Sequence, residues 1–395
     1  MVYDWFSSAS SFRGWFALRM LVCDYEFPPI GGGASPVAGE LASCLAERGH
    51  ELDVVTMAFR GLPRLEEPRP GLRIFRVPCW RKHAYICSAK EMATWLGPAL
   101  FRCLSLHRRN RYDLCHTHFL FPSGVVAWQM RKLTGLPYVV TCHGSDVPGY
   151  NPDRFGLEHR LLMPLWRAVI RNASAITFPS AFLRDLFVAS SPVHPPLHVI
   201  PNAVHPDEFQ PTTGEPIILF VSRLVPRKGA QALLSALDGV SAPGWEIHIV
   251  GDGPVRGEVE ALAARMSIPT TVHGWLDRNS PVLTDLRRRA AIFAFPSLME
   301  NVSMVLLEAM ASGQAVVTTS AGGNPEVVAD TGVLFPPGDN DALRDAVVAL
   351  MADEPRRRAL GEAARARVLD RFNWASVTDA FEILLGSLGR GVRQP

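Results

Sequence analysis

The sequence predicts an α/β fold in which two doubly wound, Rossmann-like domains face each other across a cleft. Short apolar runs alternate with amphipathic helical patterns along the chain, as in parallel sheets with crossover helices. A polar segment containing Pro and Gly, residues 211–216, interrupts this alternation, and a second cycle of the same kind follows it. The length of 395 residues exceeds what one ordinary core supports, which also favours two domains.

The elements of the first cycle follow from apolar runs bounded by turn residues and from helical periodicity. Leu18 opens a buried strand, and Gly49 stops the helix after it. The predicted strands are residues 18–24, 52–56, 72–77, 114–118, 138–142, 175–179 and 199–201, and the predicted helices are residues 35–48, 92–107, 124–132 and 157–171.

The second cycle repeats the pattern and ends in a run of helices. Its predicted strands are residues 217–222, 246–251, 271–273, 291–296 and 315–319, and its predicted helices are residues 230–237, 254–264, 279–290, 302–311, 341–351, 354–372 and 374–388. We therefore divide the chain into an N-terminal extension (1–17), an N-terminal domain (18–210), a C-terminal domain (211–373) and a last helix (374–390) that packs back towards the N-terminal domain.

Composition limits the classes of partner. A formal net charge of +2 does not suggest nucleic acid. The N-terminal half is mildly basic, mostly within residues 60–82 and 102–111. These residues form either an ordinary solvated face or a surface that meets anionic lipid or an acidic acceptor, and both interpretations stay open.

Cysteine usage and hydropathy indicate the compartment. The seven cysteines are odd in number and form no Cys-x-x-Cys pair, which argues against a disulfide framework and a zinc site. We expect a reducing, cytoplasmic location. No apolar run approaches the roughly 18–20 residues that span a bilayer, and residues 1–17 lack the hydrophobic stretch of a signal peptide. Peripheral contact with the inner face of the membrane is kept as an alternative.

Loops that follow strands are the places to look for chemistry, because open α/β sheets bind ligands at the carboxyl ends of their strands. Gly31–Gly33 follow the first strand and precede a helix, an arrangement that admits a phosphate or a sugar hydroxyl close to the backbone. A tight turn is the structural alternative. There is neither a Gly-x-Gly-x-x-Gly fingerprint nor a Walker lysine, which argues against NAD and P-loop chemistry.

The loop after the first strand of the second domain carries two candidate cations. Arg223 and Lys228 lie there, and together they could hold a diphosphate by charge-assisted hydrogen bonds. The alternative is a solvated basic loop, which is the interpretation we give to Arg227.

Residues 296–313 are the most informative segment. Glu300 lies in the loop before a helix, and Glu308 lies two turns inside that helix among apolar residues. A buried carboxylate needs partners, and ribose hydroxyls would be suitable ones. The helix start at residues 301–304 would turn its positive end towards a diphosphate. The alternative is an amphipathic helix with two ordinary acidic residues.

Histidines close two strands of the first domain. His116 and His118 have no third ligand at a usual spacing, so we predict no metal. His143 stands at a strand end beside Gly144, which makes it the better candidate for a ligand-facing residue, although a lone histidine is often structural.

Together and in order, the motifs resemble the group 1 glycosyltransferases (family 4), retaining enzymes of the GT-B fold. The resemblance spans residues 18–388. The matching stretches are Phe27-Pro28-Pro29 with Gly31–Gly33, residues 48–54, His143-Gly144-Ser145-Asp146, residues 200–204, Arg223-Leu224 with Gly229, Gly251-Asp252-Gly253-Pro254, the Glu300-x7-Glu308 pair with residues 307–313, and residues 322–328.

The resemblance implies roles for residues of the second domain. Arg223 and Lys228 would bind the diphosphate and stabilise the leaving nucleoside diphosphate. Glu308 would hold the ribose. Glu300 would contact the donor sugar and phosphate, together with the backbone N–H groups of residues 301–303, which are Asn301, Val302 and Ser303.

Two further roles fall on the first domain. Gly32 and Gly33 would line the donor phosphate or the acceptor side, and His143 would lie near the donor sugar and the reaction centre.

The sequence also departs from the family pattern, and these departures leave the donor sugar open. They are Ala203 and His205 where glycine and aspartate are usual, Asn301-Val302-Ser303 where a glycine-proline pair is common, and Gln314 where proline is frequent.

The predicted function is transfer of a sugar from a nucleoside diphosphate sugar to a hydroxyl acceptor with retention of configuration. A UDP-sugar is favoured and a GDP-sugar is possible, with no metal or other cofactor. The acceptor is a sugar, a lipid-linked molecule or a small metabolite, in polysaccharide, glycolipid or glycoconjugate synthesis. A catalytically inert nucleotide-sugar-binding subunit and a nucleotide-sugar epimerase of the same architecture are the alternatives. Loss of Arg223, Lys228 or Glu308 would favour the inert subunit, and all three are present.

Overall fold

The computed structural model describes residues 17–150 and 152–389, apart from the side chains of 152–160. Of the predicted extension 1–17, all but Ala17 lies outside the described residues, as does residue 390 at the end of the predicted last helix. The chain forms two compact units, an N-terminal unit (Met1–Pro201 with Trp374–Pro395) and a C-terminal unit (Asn202–Asn373).

The division between the units falls after Pro201, earlier than the predicted boundary at residues 210/211. The polar segment that suggested the boundary belongs to the C-terminal unit. Its backbone is held there, because Thr212 N donates to Ser312 O at 2.8 Å and Thr213 N donates to Arg288 O at 2.8 Å.

The N-terminal unit is built on an eight-stranded sheet with the order β3-β4-β2-β1-β5-β6-β7-β8. Its strands are β1 (Arg19–Cys23), β2 (Glu51–Met57), β3 (Leu65–Arg69), β4 (Leu72–Val77), β5 (Leu114–His118), β6 (Tyr138–Thr141), β7 (Ala175–Phe178) and β8 (Leu197–Val199). Its helices are α1 (Ala34–Glu47), α2 (Ala89–Asn110), α3 (Ser123–Thr134), α4 (Pro152–Asn172), α5 (Ala181–Ser190) and α13 (Trp374–Gly389).

Two elements of this unit are absent from the sequence prediction. Strand β3 pairs antiparallel to β4 at the sheet edge, and its residues Leu-Glu-Glu-Pro-Arg carry no apolar alternation. Helix α5 was also missed, although Ser180 marks its start by accepting a hydrogen bond from Leu183 N at 3.1 Å. All other strand pairs of the sheet are parallel, as predicted.

The C-terminal unit contains a six-stranded, fully parallel sheet with the order β11-β10-β9-β12-β13-β14. Its strands are β9 (Glu215–Val221), β10 (Glu246–Val250), β11 (Thr270–Gly274), β12 (Ala290–Phe295), β13 (Ala315–Thr319) and β14 (Val333–Phe335). Its helices are α6 (Ala230–Leu237), α7 (Arg256–Ala263), α8 (Pro281–Arg289), α9 (Met304–Ala311), α10 (Asn324–Val328), α11 (Asn340–Ala352) and α12 (Glu354–Arg371).

Each unit has a hydrophobic core of its own, and the predicted α/β class with two parallel-sheet domains is confirmed. The central strands β12 and β13 are buried along their whole length, as expected for parallel strands covered on both faces. Within the described residues, no helix combines the length and the apolar character needed to cross a membrane.

The last helix, α13, is fastened to the N-terminal unit by a polar cluster. Arg48, directly after α1, contacts Asp379 and Glu382, each at 2.5 Å, and donates to the carbonyl of Ala375 at 2.8 Å. His50 Nε2 lies 2.9 Å from Glu382 Oε1, and both side chains are nearly buried. The Arg48-Gly49-His50 stretch that contributed to the family resemblance therefore anchors the C-terminal helix.

Replacement of Glu382 by Gln should destabilise the N-terminal unit by about 1–3 kcal/mol, because it weakens the hydrogen bonds from Arg48 and His50. Burial raises the pKa of Glu382, but hydrogen bonds from His50 and Arg48 outweigh it and hold the pKa below its ordinary value. A lowered carboxyl pKa stabilises the fold at neutral pH, and the contribution is lost as pH falls through that pKa. The difference between wild type and variant in urea unfolding should therefore shrink at acidic pH.

Asp379→Asn is the matched control, because its side chain is half-exposed and a surface pair contributes less than about 1 kcal/mol. Equal effects of the two substitutions, or a difference that does not change with pH, would contradict this account of α13.

Candidate active site

The predicted cation and carboxylate of the C-terminal unit lie in direct contact. Lys228, at the end of a short 3-10 turn after β9, forms an ion pair with Glu300, in the loop between β12 and α9. Only 12% of the Lys228 side chain and 9% of the Glu300 side chain are exposed. The ammonium also lies 5.3 Å from the centre of the Phe295 ring. Burial lowers the pKa of Lys228, and the nearby Glu300 opposes this shift.

A polar network behind Glu300 fixes its carboxylate. Ser297 Oγ donates to Glu300 Oε1 at 2.5 Å, and the Ser297 carbonyl accepts from Thr319 Oγ1 at 2.6 Å. The buried amide of Asn324 donates to Thr319 O at 3.2 Å. These residues sit at the carboxyl ends of β12 and β13, so the sheet edge itself positions Glu300.

Two glycines allow the loops around this pair to approach closely. Gly229 has a φ of 83°, and a Cβ there would lie 2.4 Å from the carbonyl oxygen of Pro296. Gly322 has a φ of 63°, and a Cβ there would lie 2.0 Å from the carbonyl oxygen of Glu300. Any other residue would push these loops apart, so the glycines are required for the contact between Lys228 and Glu300.

Glu308 has protein partners that the sequence prediction missed. Helix α9 places it in the interior, where it pairs with Arg287 of α8 and with Arg278 Nε at 3.1 Å. The Glu308 and Arg287 side chains are 6% and 10% exposed, whereas Arg278 is 43% exposed. The apolar neighbours in the sequence suggested ribose as the partner, but two arginines already satisfy the carboxylate. A carboxylate accepts more than two hydrogen bonds, so this does not exclude ribose hydroxyls.

One departure from the family pattern supports the site, and the residue that precedes another contacts it. Gln314 is fully buried, and its side-chain amide donates to the carbonyl of Arg287 at 2.8 Å. It therefore supports the arginine that pairs with Glu308. Asn202, which precedes the changed residues Ala203 and His205, donates to Val302 O at 2.9 Å and ties that segment to the loop of Glu300.

The helix start differs from the prediction. Helix α9 begins at Met304, so Asn301 and Val302 belong to the preceding loop, and Ser303 is the residue before the first turn. All three are buried. The predicted backbone donors thus lie on a packed loop rather than on the first helical turn.

Arg223 is exposed, and its positive charge, like that of Arg227, lowers the pKa of Lys228, although less than burial does. The adjoining Gly251-Asp252-Gly253 turn has a structural role. Leu224 N donates to Asp252 O at 2.8 Å, and Val255 N donates to Leu224 O at 3.2 Å, so the turn after β10 holds the Arg223 loop.

His143 lies in the N-terminal unit, in a loop pinned by Asp146. One oxygen of Asp146 accepts from the backbone N–H groups of His143 and Gly144, each at 3.1 Å, and the other accepts from Leu120 N at 3.0 Å. The His143 ring stacks on His118, with Nε2 3.0 Å from His118 Nδ1. Burial, followed by the nearby His116, lowers the pKa of His143 to about 3.

The glycine loop of the N-terminal unit is held by Glu26. Gly32 N donates to Glu26 Oε2 at 3.1 Å, and Gly31 N donates to Ala84 O at 2.8 Å. Gly33 is exposed and precedes α1, with open space where a side chain would stand. The structure thus brings together Lys228, Glu300 and the neighbouring Arg223 in one unit, and it places His143, Gly32 and Gly33 in the other.

Comparison with known proteins identifies the family. Residues 32–203 match the glycosyl transferase 4-like domain, and residues 203–367 match the glycosyl transferases group 1. A 2-deoxystreptamine N-acetyl-D-glucosaminyltransferase of Streptomyces fradiae is 30% identical over 92% of this chain and 93% of its own. The chain belongs to the group 1, family 4 glycosyltransferases. An N-acetyl-alpha-D-glucosaminyl L-malate synthase of Bacillus anthracis is 26% identical over 90% of this chain and 94% of its own.

Solved structures share the GT-B fold of this glycosyltransferase. Sucrose-phosphate synthase from Thermosynechococcus elongatus aligns with a TM-score of 0.78 and 25% identity, over 95% of this chain and 99% of that chain. HepE from Anabaena, solved in complex with UDP, aligns with a TM-score of 0.74 and 19% identity, over 94% and 100%. The predicted GT-B fold is confirmed.

Replacing Lys228 by Met in this glycosyltransferase should destabilise the C-terminal unit by about 3 kcal/mol, because it leaves Glu300 buried without its cation. The double variant Lys228→Met/Glu300→Gln should recover most of that loss, since no charge remains buried alone. Urea unfolding monitored by circular dichroism measures both effects. Arg227→Met is the control and should change stability by less than about 0.5 kcal/mol. Additive losses in the double variant would contradict the buried pair.

The His143 ring should stay neutral at all ordinary pH values, because its pKa is lowered to about 3. Its NMR resonances, assigned by comparison with His143→Asn, should not titrate between about pH 5 and pH 8. As the pH falls, this imidazole takes up a proton in the unfolded chain before it does so in the folded chain. The N-terminal unit should therefore lose stability as pH falls below about 6.5. A midpoint near 6.5 for His143 would show that the ring is solvated.

Proposed function

We propose that this glycosyltransferase moves a sugar from a UDP-sugar to a hydroxyl acceptor, with retention of configuration and without a divalent metal. The observation that carries the proposal is the buried Lys228–Glu300 pair, placed at the carboxyl ends of β9 and β12. Open α/β sheets bind their ligands at this edge.

The cations of the loop after β9 supply the charge that the diphosphate requires. Lys228 is already ordered by Glu300 and Phe295, so little reorganisation is needed when phosphate arrives. The exposed Arg223 adds a second positive charge close by. Together they would stabilise the leaving UDP, the task that a metal ion performs in other transferases.

Glu308 would accept the ribose hydroxyls while Arg287 and Arg278 hold its carboxylate in place. Glu300 and the loop of Asn301, Val302 and Ser303 would contact the donor sugar. A neutral His143 would exchange hydrogen bonds with the sugar rather than act as an acid. The leaving phosphate would take the proton of the acceptor hydroxyl, so attack would occur on the face from which UDP leaves.

The similar proteins suggest which nucleotide to test first, whereas their acceptors differ widely. UDP is the first nucleotide to test, because HepE was solved with UDP and with UDP-glucose. A GDP-mannose-dependent relative from Mycolicibacterium smegmatis, 28% identical, keeps GDP as the second. The relatives are named for acceptors as different as 2-deoxystreptamine and L-malate. A cytoplasmic location and a peripheral membrane contact stay predictions.

UDP and UDP-sugars should raise the thermal midpoint more than GDP, ADP or their sugars do, because ligand binding stabilises the folded state by mass action. Lys228→Met should weaken UDP binding by about 10- to 100-fold, the effect of losing one charge-assisted hydrogen bond. Arg227→Met removes a charge that also acts on Lys228, so it should weaken UDP binding less than Lys228→Met does. Stabilisation by none of the nucleotides would refute the proposed donor class, and equal binding by Lys228→Met would refute the diphosphate site.

The stereochemistry and the metal requirement have direct tests once a donor is known. NMR of the first-formed product should show the anomer of the donor, and EDTA should leave the rate unchanged. An inverted anomer would contradict retention, and loss of activity that Mg²⁺ restores would contradict metal independence.

A further inference from the structure

A pocket in the N-terminal unit has a predominantly apolar lining. Its volume is about 60 Å³. Met92 of α2, Val125 of α3, and Leu162 and Trp166 of α4 form its walls, with Leu120 and Phe121 from the loop after β5. On the same measure one water molecule needs roughly 10–15 Å³, so the pocket admits about four groups of that size.

Two of the polar residues at this pocket, Asp146 and Trp166, are engaged in hydrogen bonds within the protein. The carboxylate of Asp146 accepts three backbone N–H bonds, from His143, Gly144 and Leu120. The indole N–H of Trp166 donates to the carbonyl of Asp146 at 3.0 Å. A sugar ring or a phosphate would therefore find few partners here, whereas alkyl or aryl carbon would bury apolar surface without cost to polar groups.

The pocket shares a loop with His143, the residue that the proposed function places beside the donor sugar. Ser145, Asp146 and Pro148 on its wall belong to the same loop as His143, directly after β6. The pocket therefore lies at the carboxyl edge of the first sheet, the edge that carries both the His143 loop and the Gly31–Gly33 loop.

The segment that leads into α2, whose first residue Ala89 lines the pocket, carries exposed apolar side chains. Tyr85 and Ile86 are 64% and 58% exposed, and Trp80 is 65% exposed. This segment also contacts the glycine loop, since Ala84 O accepts from Gly31 N. Three large apolar side chains on one short loop are unusual for a surface that meets only water.

We infer that the acceptor of this glycosyltransferase is an amphiphile, and that the apolar part next to its reactive hydroxyl occupies the pocket between α2, α3 and α4. The inference rests on the proposed function, because it assigns the pocket to the acceptor of that reaction. An alkyl, isoprenoid or aryl group fits the lining, and the polar part would extend towards His143.

The test is isothermal titration of the full chain with n-alkyl β-D-glucopyranosides from methyl to hexyl, all below their micelle concentrations. Affinity should rise about three- to fourfold per added methylene until the pocket is full, the gain expected from burying each group. Leu162→Trp should remove the dependence on chain length by filling the pocket. Leu161→Trp is the matched control and should keep the dependence on chain length, because Leu161 directly precedes Leu162 on α4 but is 69% exposed.

Val125→Phe fills the pocket from the α3 wall. It serves as a second filling variant in case Leu162→Trp does not fold. An affinity that does not change with chain length in wild type would overturn the inference. So would a chain-length dependence that survives in both filling variants, which would indicate binding elsewhere on the surface. UDP titrated into the same preparations separates the two proposals. UDP binding without alkyl binding refutes only the acceptor assignment, and alkyl binding without UDP binding refutes the donor site.

Discussion

The free-energy cost of burying ionised groups is the main constraint on how the C-terminal unit is built. Glu300 sits in the interior at the carboxyl edge of its sheet and Glu308 is buried within α9, and an unpaired charge at either place would cost several kcal/mol. The fold meets this cost by bringing cations from distant segments, Lys228 to the first carboxylate and Arg287 to the second. The loops after β9, β12 and β13 must therefore converge, and glycine at key positions lets them do so.

Function follows from that constraint, because paired and hydrogen-bonded charges are ordered before any ligand arrives. Ser297 and Thr319 hold Glu300, and Gln314 supports the backbone of Arg287. A diphosphate entering such a site, as proposed, would find oriented charge and would need little reorganisation. The N-terminal unit follows the same rule, since Asp146 takes three backbone N–H bonds and fixes the loop of His143.

Much of this architecture could be predicted from the sequence, because buried parallel strands leave apolar runs that turn residues bound clearly. Strand β3 could not, since an edge strand of charged residues leaves no such pattern. The Lys228–Glu300 site was found through motifs, but its pairing was not, because a contact across 72 positions has no local signature. Arg287 stands in a run of three arginines, and only the fold shows which one turns inward to Glu308.

The central claim is that Glu308, held by its arginines, binds the ribose of the donor nucleotide. Isothermal titration of wild type and Glu308→Gln with UDP and 2′,3′-dideoxy-UDP tests it as a double cycle. The account predicts that removing the ribose hydroxyls weakens wild-type binding by about 10- to 100-fold, the value of hydrogen bonds to a charged group. The same removal should change binding to Glu308→Gln far less. Equal losses in both proteins, in variants shown to be folded, would contradict the claim.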